Sequence, residues 1–469
     1  MLFDTPVYLI FLSLVVIVYW RLSFRAQNVL LLAASYFFYG WWDWRFLLLM
    51  IGSTTIDYLI GNAIEDAPNP ARRKALLIVS LVVNFSILGF FKYFNFFLDS
   101  TATALDSLGF HHVPRGLLSI ILPPGISFYT FQEVAYIVDV YGGKIKSSRN
   151  FVEYGLFISL FPHLIAGPIQ RPSHLLPQVQ NRRVFQSAAF RDGCMLILMG
   201  LVRKCVIADN CAHLANAAFD GRFGNSGWVT LIGCYAFAWQ IYGDFSGYSD
   251  IARGSARLLG FHFMINFRQP YLATSLQDFW RRWHISLSTW LRDYLYIPLG
   301  GSRKGEIKTY RNLLLTMLLG GLWHGANWTF VVWGALHGFV LSIERAISRH
   351  TRDSIEERGI ARILRQVFTF HIVCLTWIFF RSQSVTLAFR MIASLGHFQW
   401  SSDMTTALLF LAILAGLGLL MDLQMEYTGG EYVFQQQTPI FGYGAAVAAT
   451  VLLIFFSASG NHAFIYFQF

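Results

Sequence analysis

Charge is scarce in this sequence. Only 13% of its 469 residues are Asp, Glu, Lys or Arg, while 55% are hydrophobic; soluble domains carry about 25% charged residues. So few polar side chains cannot cover a water-facing surface, which excludes an ordinary soluble domain. The alternating segments of about 10 residues that build a membrane β-barrel are also missing. There is no short-period repeat, low-complexity tract or separate soluble domain. What remains is an all-α, polytopic integral membrane protein, read as one domain over 1–469 with its motifs concentrated in about 120–345.

The common catalytic signatures are equally absent. No G-x-S-x-G elbow appears, and there is no Walker loop, no G-x-G-x-x-G following a strand and no H-E-x-x-H. The five cysteines, Cys194, Cys205, Cys211, Cys234 and Cys374, form no C-x-x-C pair and are read as small packing residues. No ligand spacing for a metal is present.

What the chain does have is a succession of apolar stretches near the ~20 residues that cross a bilayer as a helix. They fall at about 7–20, 29–44, 46–63, 75–98, 116–138, 151–166, 188–208, 227–243, 310–341, 367–381, 405–421 and 441–459, and some can be re-entrant or split, so about eleven crossings are expected. The first carries Asp4 and no basic residue on its amino-terminal flank, so it is not a cleavable signal. Arg21 and Arg25 follow it. The positive-inside rule then places the amino terminus outside and the first loop in the cytosol.

Two places break the pattern. FPHLIAGPIQRP, 161–172, holds three prolines and a glycine in an apolar run. Each proline removes a donor and clashes with the preceding turn, and broken backbone at membrane depth survives only inside protein or beside a watery cavity. A re-entrant or inward-facing segment is expected. SLQDFWRRWHISLSTWLRDYLYIPLGG, 275–301, reads as an amphipathic helix at the membrane boundary, with Arg281, Ser288 and Arg292 on one side and His284 sharing a face with Ser288.

Ionisable groups inside apolar segments usually face the bundle interior or a watery path. His324, His337, His284, His163 and Asp244 are the candidates. His324 has the strongest case. It lies in GGLWHGANWTF, 320–330, where glycines allow a substrate or a neighbouring backbone to approach. On a continuous helix His337 lies about 220° away from it, so the two cannot share a metal face; His337 and His163 are read as structural. Half the net charge of +10 falls between Arg268 and Arg311, with eight basic and three acidic residues. This suits a cytosolic loop and also a polyanionic ligand.

With no other nucleophile or metal in view, an enzyme here would use a histidine base to activate an acceptor hydroxyl, or a partner's serine. The donor must then carry a good leaving group. A thioester fits, and the phosphates of coenzyme A suit Arg268, Arg281, Arg282, Arg292, Arg303 and Lys304.

FPHLIAGPIQRP, QIYGDFSGYSDIARG (240–254), FWRRWHISLSTWLRDYLYIPLGG and LLGGLWHGANWTF, with the terminal FIYFQF (464–469), resemble the successive motifs of the membrane-bound O-acyltransferase family, in its bacterial alginate O-acetylation branch. The resemblance implies a ring of tilted helices around a thin centre with a funnel from each side. It puts the family's catalytic histidine on His324 and its second histidine on His284. It further implies transfer of acetyl from cytosolic acetyl-CoA, across the bacterial inner membrane, to an exported polysaccharide. A periplasmic serine-esterase-like partner usually assists, and no permanently bound cofactor is expected; with the charge bias of the first loop, the amino terminus is expected in the periplasm. No nucleic acid partner is expected. Two rivals stay open: a transporter or flippase, since broken helices also mark transport sites, and the same chemistry directed at lipid, peptidoglycan or a secreted protein.

Overall fold

The computed structural model describes residues 1–110, 118, 120–165, 167–222, 224, 226–350, 359–437, 439–458 and 464–465. The described residues are helical, with no strand among them. The helices group into two compact units, residues 1–194 with 252–264, and residues 195–251 with 265–469.

The first unit contains α1 (Pro6–Tyr19), α2 (Phe24–Gly40), α3 (Trp44–Asp66), α4 (Pro70–Leu88), α5 (Phe94–Ser107), α6 (Ile126–Tyr141), α7 (Phe151–Ser159), α8 (Phe161–Leu164) and α9 (Pro172–Gln180). It also holds the start of α10 (Ser187–Leu201) and the end of α12 (Gly227–Leu258). The remaining elements are α11 (Asp209–Phe219), α13 (Leu276–Arg282), α14 (Ile285–Leu291), α15 (Glu306–His324), α16 (Trp328–His350), α17 (Ile360–Arg381), α18 (Val385–Ser394), α19 (Ser402–Thr428) and α20 (Pro439–Phe456). Side-chain caps fix several starts. The Thr5 hydroxyl accepts from the Tyr8 amide and Asn69 Oδ1 from the Ala71 amide, each followed by a proline in the first turn, where its missing N–H is harmless.

Among the described residues, five stretches are long and apolar enough to cross a bilayer: Trp44–Asp66, Pro70–Ser107, Trp328–Ile347, Ile360–Arg381 and Ser402–Thr428. Pro6–Tyr19, Val385–Ser394 and Ile440–Phe456 are shorter apolar helices. A total near eleven requires more polar helices such as α6, α10 and α12 to cross as well. In α19 the usual burial pattern is inverted: Leu409, Ile413 and Leu420 are exposed while Asp422 is buried. In lipid the outward surface is the apolar one, and polar groups are satisfied inside.

Within the first unit the proline-rich stretch is broken and buried, as its sequence dictates. α8 is a single turn, and Phe161–Ile165 and Gly167–Gln170 are buried without continuing it. His163 Nδ1 lies 3.2 Å from Gln132 Nε2. The stretch 116–138 is helical only from Ile126, and its residues 116, 117 and 119 lie outside those described.

The second unit carries a buried ionic network. Arg203 pairs with Asp250 at 3.0 Å and Asp422 at 3.4 Å, and Lys204 with Asp209 at 2.7 Å and Asp244 at 3.0 Å. The Tyr242 hydroxyl donates to Asp422 and the Ile465 amide to Asp244. Phe464 stacks on Tyr248 with centroids 4.3 Å apart; residues 466–469 of the terminal motif lie outside the described residues.

Candidate active site

The apolar run 310–341, expected as one segment, is two helices. α15 ends on His324 itself, and Asn327 caps α16 by accepting the Thr329 amide at 3.0 Å. Asx side chains favour this position because they satisfy an otherwise orphaned amide. The short connection folds α16 back along α15. Glycines set how closely the two backbones approach: a Cβ on Gly321 would collide with the Phe330 carbonyl, and one on Gly334 with the Met317 carbonyl. Of the two uses for these glycines, the neighbouring backbone holds. A Cβ at Gly325 would enter the Phe330 ring, so Gly321, Gly325 and Gly334 make room for protein here.

The helix break also overturns the 220° argument, which assumed a continuous helix. His324 and His337 both flank Trp333, with ring centroids 5.2 and 4.7 Å away. His337 is nevertheless a structural residue. Its Nδ1 accepts from Trp280 Nε1 at 3.2 Å. Nε2 therefore carries the proton and donates to Thr376 Oγ1 at 2.9 Å, which passes its own hydrogen to the Val373 carbonyl.

The segment 275–301 is likewise not one amphipathic helix. α13 stops at Arg282, Trp283 is extended, and His284 sits in the left-handed region at φ 43° before α14 begins. A π-helical turn, Arg292–Tyr296, follows. Because of the break, Ser288 does not share a helical face with His284: its hydroxyl donates to the Trp283 carbonyl and its amide to the His284 carbonyl. The left-handed turn aims the His284 ring inward. Its Nδ1 lies 3.2 Å from Asn266 Oδ1. That oxygen also accepts from the Ser286 amide and hydroxyl, and Asn266 Nδ2 donates to Ser249. The backbone donor identifies the atom as oxygen, so Nδ1 must carry the His284 proton and Nε2 is the basic nitrogen.

The two histidines meet. Their ring centroids are 6.3 Å apart, with His284 fully buried and His324 3% exposed. Around His324 stand Trp323, Trp333 and Phe380, with centroids 5.1–5.3 Å away. Trp377 stacks on Trp333 at 5.7 Å. Imidazoles walled by aromatic rings stay out of bulk water, which strengthens any electrostatic contact they make with a reacting group. None of these aromatic partners, nor Asn266, stood out in the sequence. Trp323 lies beside His324 in the motif, but Trp333 falls beyond its end, and Phe380, Trp377 and Asn266 come from elements with no local signal of their own.

The basic residues are placed differently. Arg268, Arg281, Arg292, Arg303 and Lys304 are exposed. Arg282 is bound to Asp278 at 3.0 Å and Glu426 at 2.9 Å, and Arg292 to Asp293 at 2.7 Å. Asp244 belongs to the ionic network through Lys204.

A multi-pass, all-helical chain with a buried histidine pair at helix breaks matches the class already suggested by its motifs. The sequence profile of the membrane-bound O-acyltransferases matches residues 143–385, and the chain belongs to that family; it is a multi-pass membrane O-acyltransferase of the acetyl-transferring kind. It is 45% identical to a probable alginate O-acetylase of Pseudomonas aeruginosa over 85% of this chain and 75% of that one. Identity to a peptidoglycan O-acetyltransferase of Helicobacter pylori is 39%, over 84% and 79%. A teichoic acid D-alanyltransferase of Bacillus subtilis is 28% identical over 56% and 69%.

Proposed function

We propose that this enzyme takes acetyl from cytosolic acetyl-CoA and delivers it across the bacterial inner membrane for O-acetylation of an exported polysaccharide, with His324 as general base. The observation that carries this reading is the meeting of His324 and His284 in one water-poor aromatic enclosure. In the step envisaged, a ring nitrogen of His324 takes the proton of the acceptor hydroxyl. The oxygen attacks the thioester carbonyl, the C–S bond breaks, and the departing thiolate recovers the proton. The acceptor is a glycan hydroxyl or the serine of a periplasmic esterase-like partner. The names of the P. aeruginosa and H. pylori relatives, on alginate and on peptidoglycan, support a carbohydrate polymer. The amino terminus is placed in the periplasm, and no permanently bound cofactor is required.

The deciding experiment supplies [¹⁴C]acetyl-CoA to the purified protein in vesicles containing acceptor glycan. Label on the glycan or on the partner serine is expected; vesicles that move acetyl or glycan without forming a new ester would establish a transporter instead.

His284 is assigned to orienting donor or acceptor through its basic Nε2. His284→Ala should slow transfer by about 10–100-fold, less than loss of the base itself. Asn266→Ala should reproduce part of that loss by releasing the tautomer. Wild-type rates in both variants would remove His284 from the site.

The exposed cations Arg281, Arg303 and Lys304, with Arg268 and Arg292, are proposed to meet the donor's phosphates; Arg282 contributes less because two carboxylates already hold it. Screening acts over about 8 Å at physiological salt, so the KM for acetyl-CoA should rise with ionic strength. Arg281→Gln combined with Arg303→Gln should raise KM more than it lowers kcat, the mark of uniform binding. An unchanged KM in that pair, or periplasmic labelling of these residues, would refute the donor site.

A further inference from the structure

The first unit contains a cavity of about 560 Å³ whose wall carries Arg182, Arg183, Arg257, His174 and His262 and no Asp or Glu. Sites of this size take small molecules or headgroups. Arg183 is the informative residue. It is 8% exposed, and its guanidinium donates to Asn28 Oδ1 at 2.6 Å, to Gln27 Oε1 at 3.4 Å and to the Gln178 and Val179 carbonyls. The rings of Phe261, Phe24 and Tyr19 lie 4.8, 5.0 and 5.8 Å from it. Every one of these hydrogen-bond partners is neutral, so a buried cation is fixed in place without a carboxylate. Burying such a charge is unfavourable unless an anion joins it.

The surrounding backbone is shaped for the cavity. Gly260 adopts φ 80°, and a Cβ there would press within 3.3 Å of Arg183 and 3.4 Å of the Trp20 ring. Trp20 is anchored by its indole N–H to the Leu258 carbonyl at 2.9 Å. Two apolar side chains stand out on the rim: Val184 is 69% and Phe185 52% exposed. Trp20 also caps the end of α1, whose Ile17 and Val18 face outward, and Arg21 follows. A tryptophan and arginines at the end of an apolar helix mark the membrane–water interface.

We propose that this cavity binds the phosphate headgroup of an anionic membrane phospholipid, its acyl chains lying along Val184, Phe185 and the outer face of α1. The phosphate supplies the missing counter-charge, and basic pockets between helices recognise headgroups in this way. A soluble phosphoester shares the phosphate chemistry, but it would leave Val184, Phe185 and the outer face of α1 uncovered.

The test uses the full-length enzyme in phosphatidylcholine nanodiscs, titrated with phosphatidylglycerol and followed by melting temperature and native mass spectrometry. Saturable binding with a rise of about 2–4 °C is expected. Arg182→Gln with Arg257→Gln should weaken it about 10–30-fold. Arg182 is exposed, so Arg182→Gln alone, with a loss of about 3–5-fold, carries the test if the double variant folds poorly. Equal affinity in wild type and variants overturns the site. Saturable stabilisation by inorganic phosphate or coenzyme A that the variants lose, with none from phosphatidylglycerol, overturns the lipid assignment.

Discussion

His324→Ala should abolish acetyl transfer while leaving the protein folded and inserted. A general base contributes about 10²–10⁴-fold; His337 cannot replace it, since it spends both ring nitrogens on Trp280 and Thr376, and the ring of His284, its centroid 6.3 Å away, is held by Asn266 in its own position. The fold should survive because His324 is the last residue of α15 and its loss removes no helical turn. The closeness of α15 to α16 comes instead from Gly321 and Gly334. The readout is ester formation at matched protein level in membranes, with melting temperature as the control. Transfer within about threefold of wild type would end the assignment of His324 as base.

Arg203→Ala should have the largest effect on stability. Removing the guanidinium leaves Asp250 and Asp422 buried without their shared cation, and breaking one side of a buried pair costs about 3–5 kcal/mol. That is a large part of the 5–15 kcal/mol typical of a folded protein. The Tyr242 hydroxyl, which donates to Asp422 at 3.0 Å, cannot neutralise a carboxylate. Arg203→Lys should fall between, because an ammonium keeps the charge but loses the fork that reaches two carboxylates. Unfolding free energy measured in bilayers decides the point. A loss below about 1 kcal/mol for Arg203→Ala would show that the network is dispensable to stability.

Much of the architecture could be read from composition. Scarce charge and repeated apolar runs announced a multi-pass helical protein, and three prolines at 162–172 announced broken backbone. The misreadings share one cause. Periodicity detects a helix but not the single residue where it stops when no proline marks the spot. The break at His284 rests on a left-handed non-glycine residue, a conformation favoured by Gly or Asn far more than by His, so nothing in RRWHIS advertised it. The break after His324 did have a signal, Gly325 followed by the capping Asn327, which the length of the apolar run masked. Arg203 and Lys204 were visible inside the run 188–208 yet gained meaning only when Asp250 and Asp422, distant in sequence, came into contact with Arg203.

The discontinuous first unit also sets an order on biosynthesis. Tyr8 and Tyr19 emerge early, but their hydroxyls are satisfied by Ser255 and by the Leu259 carbonyl, and Trp20 by the Leu258 carbonyl. At about 5–20 residues per second the ribosome needs roughly 12–50 s to travel from one group to the other. During that interval α1 waits in the membrane with polar tips exposed to lipid or held by the insertion machinery. Truncations ending before residue 252 should therefore leave the amino-terminal helices open to degradation, although every helix from α1 to α9 has already been made.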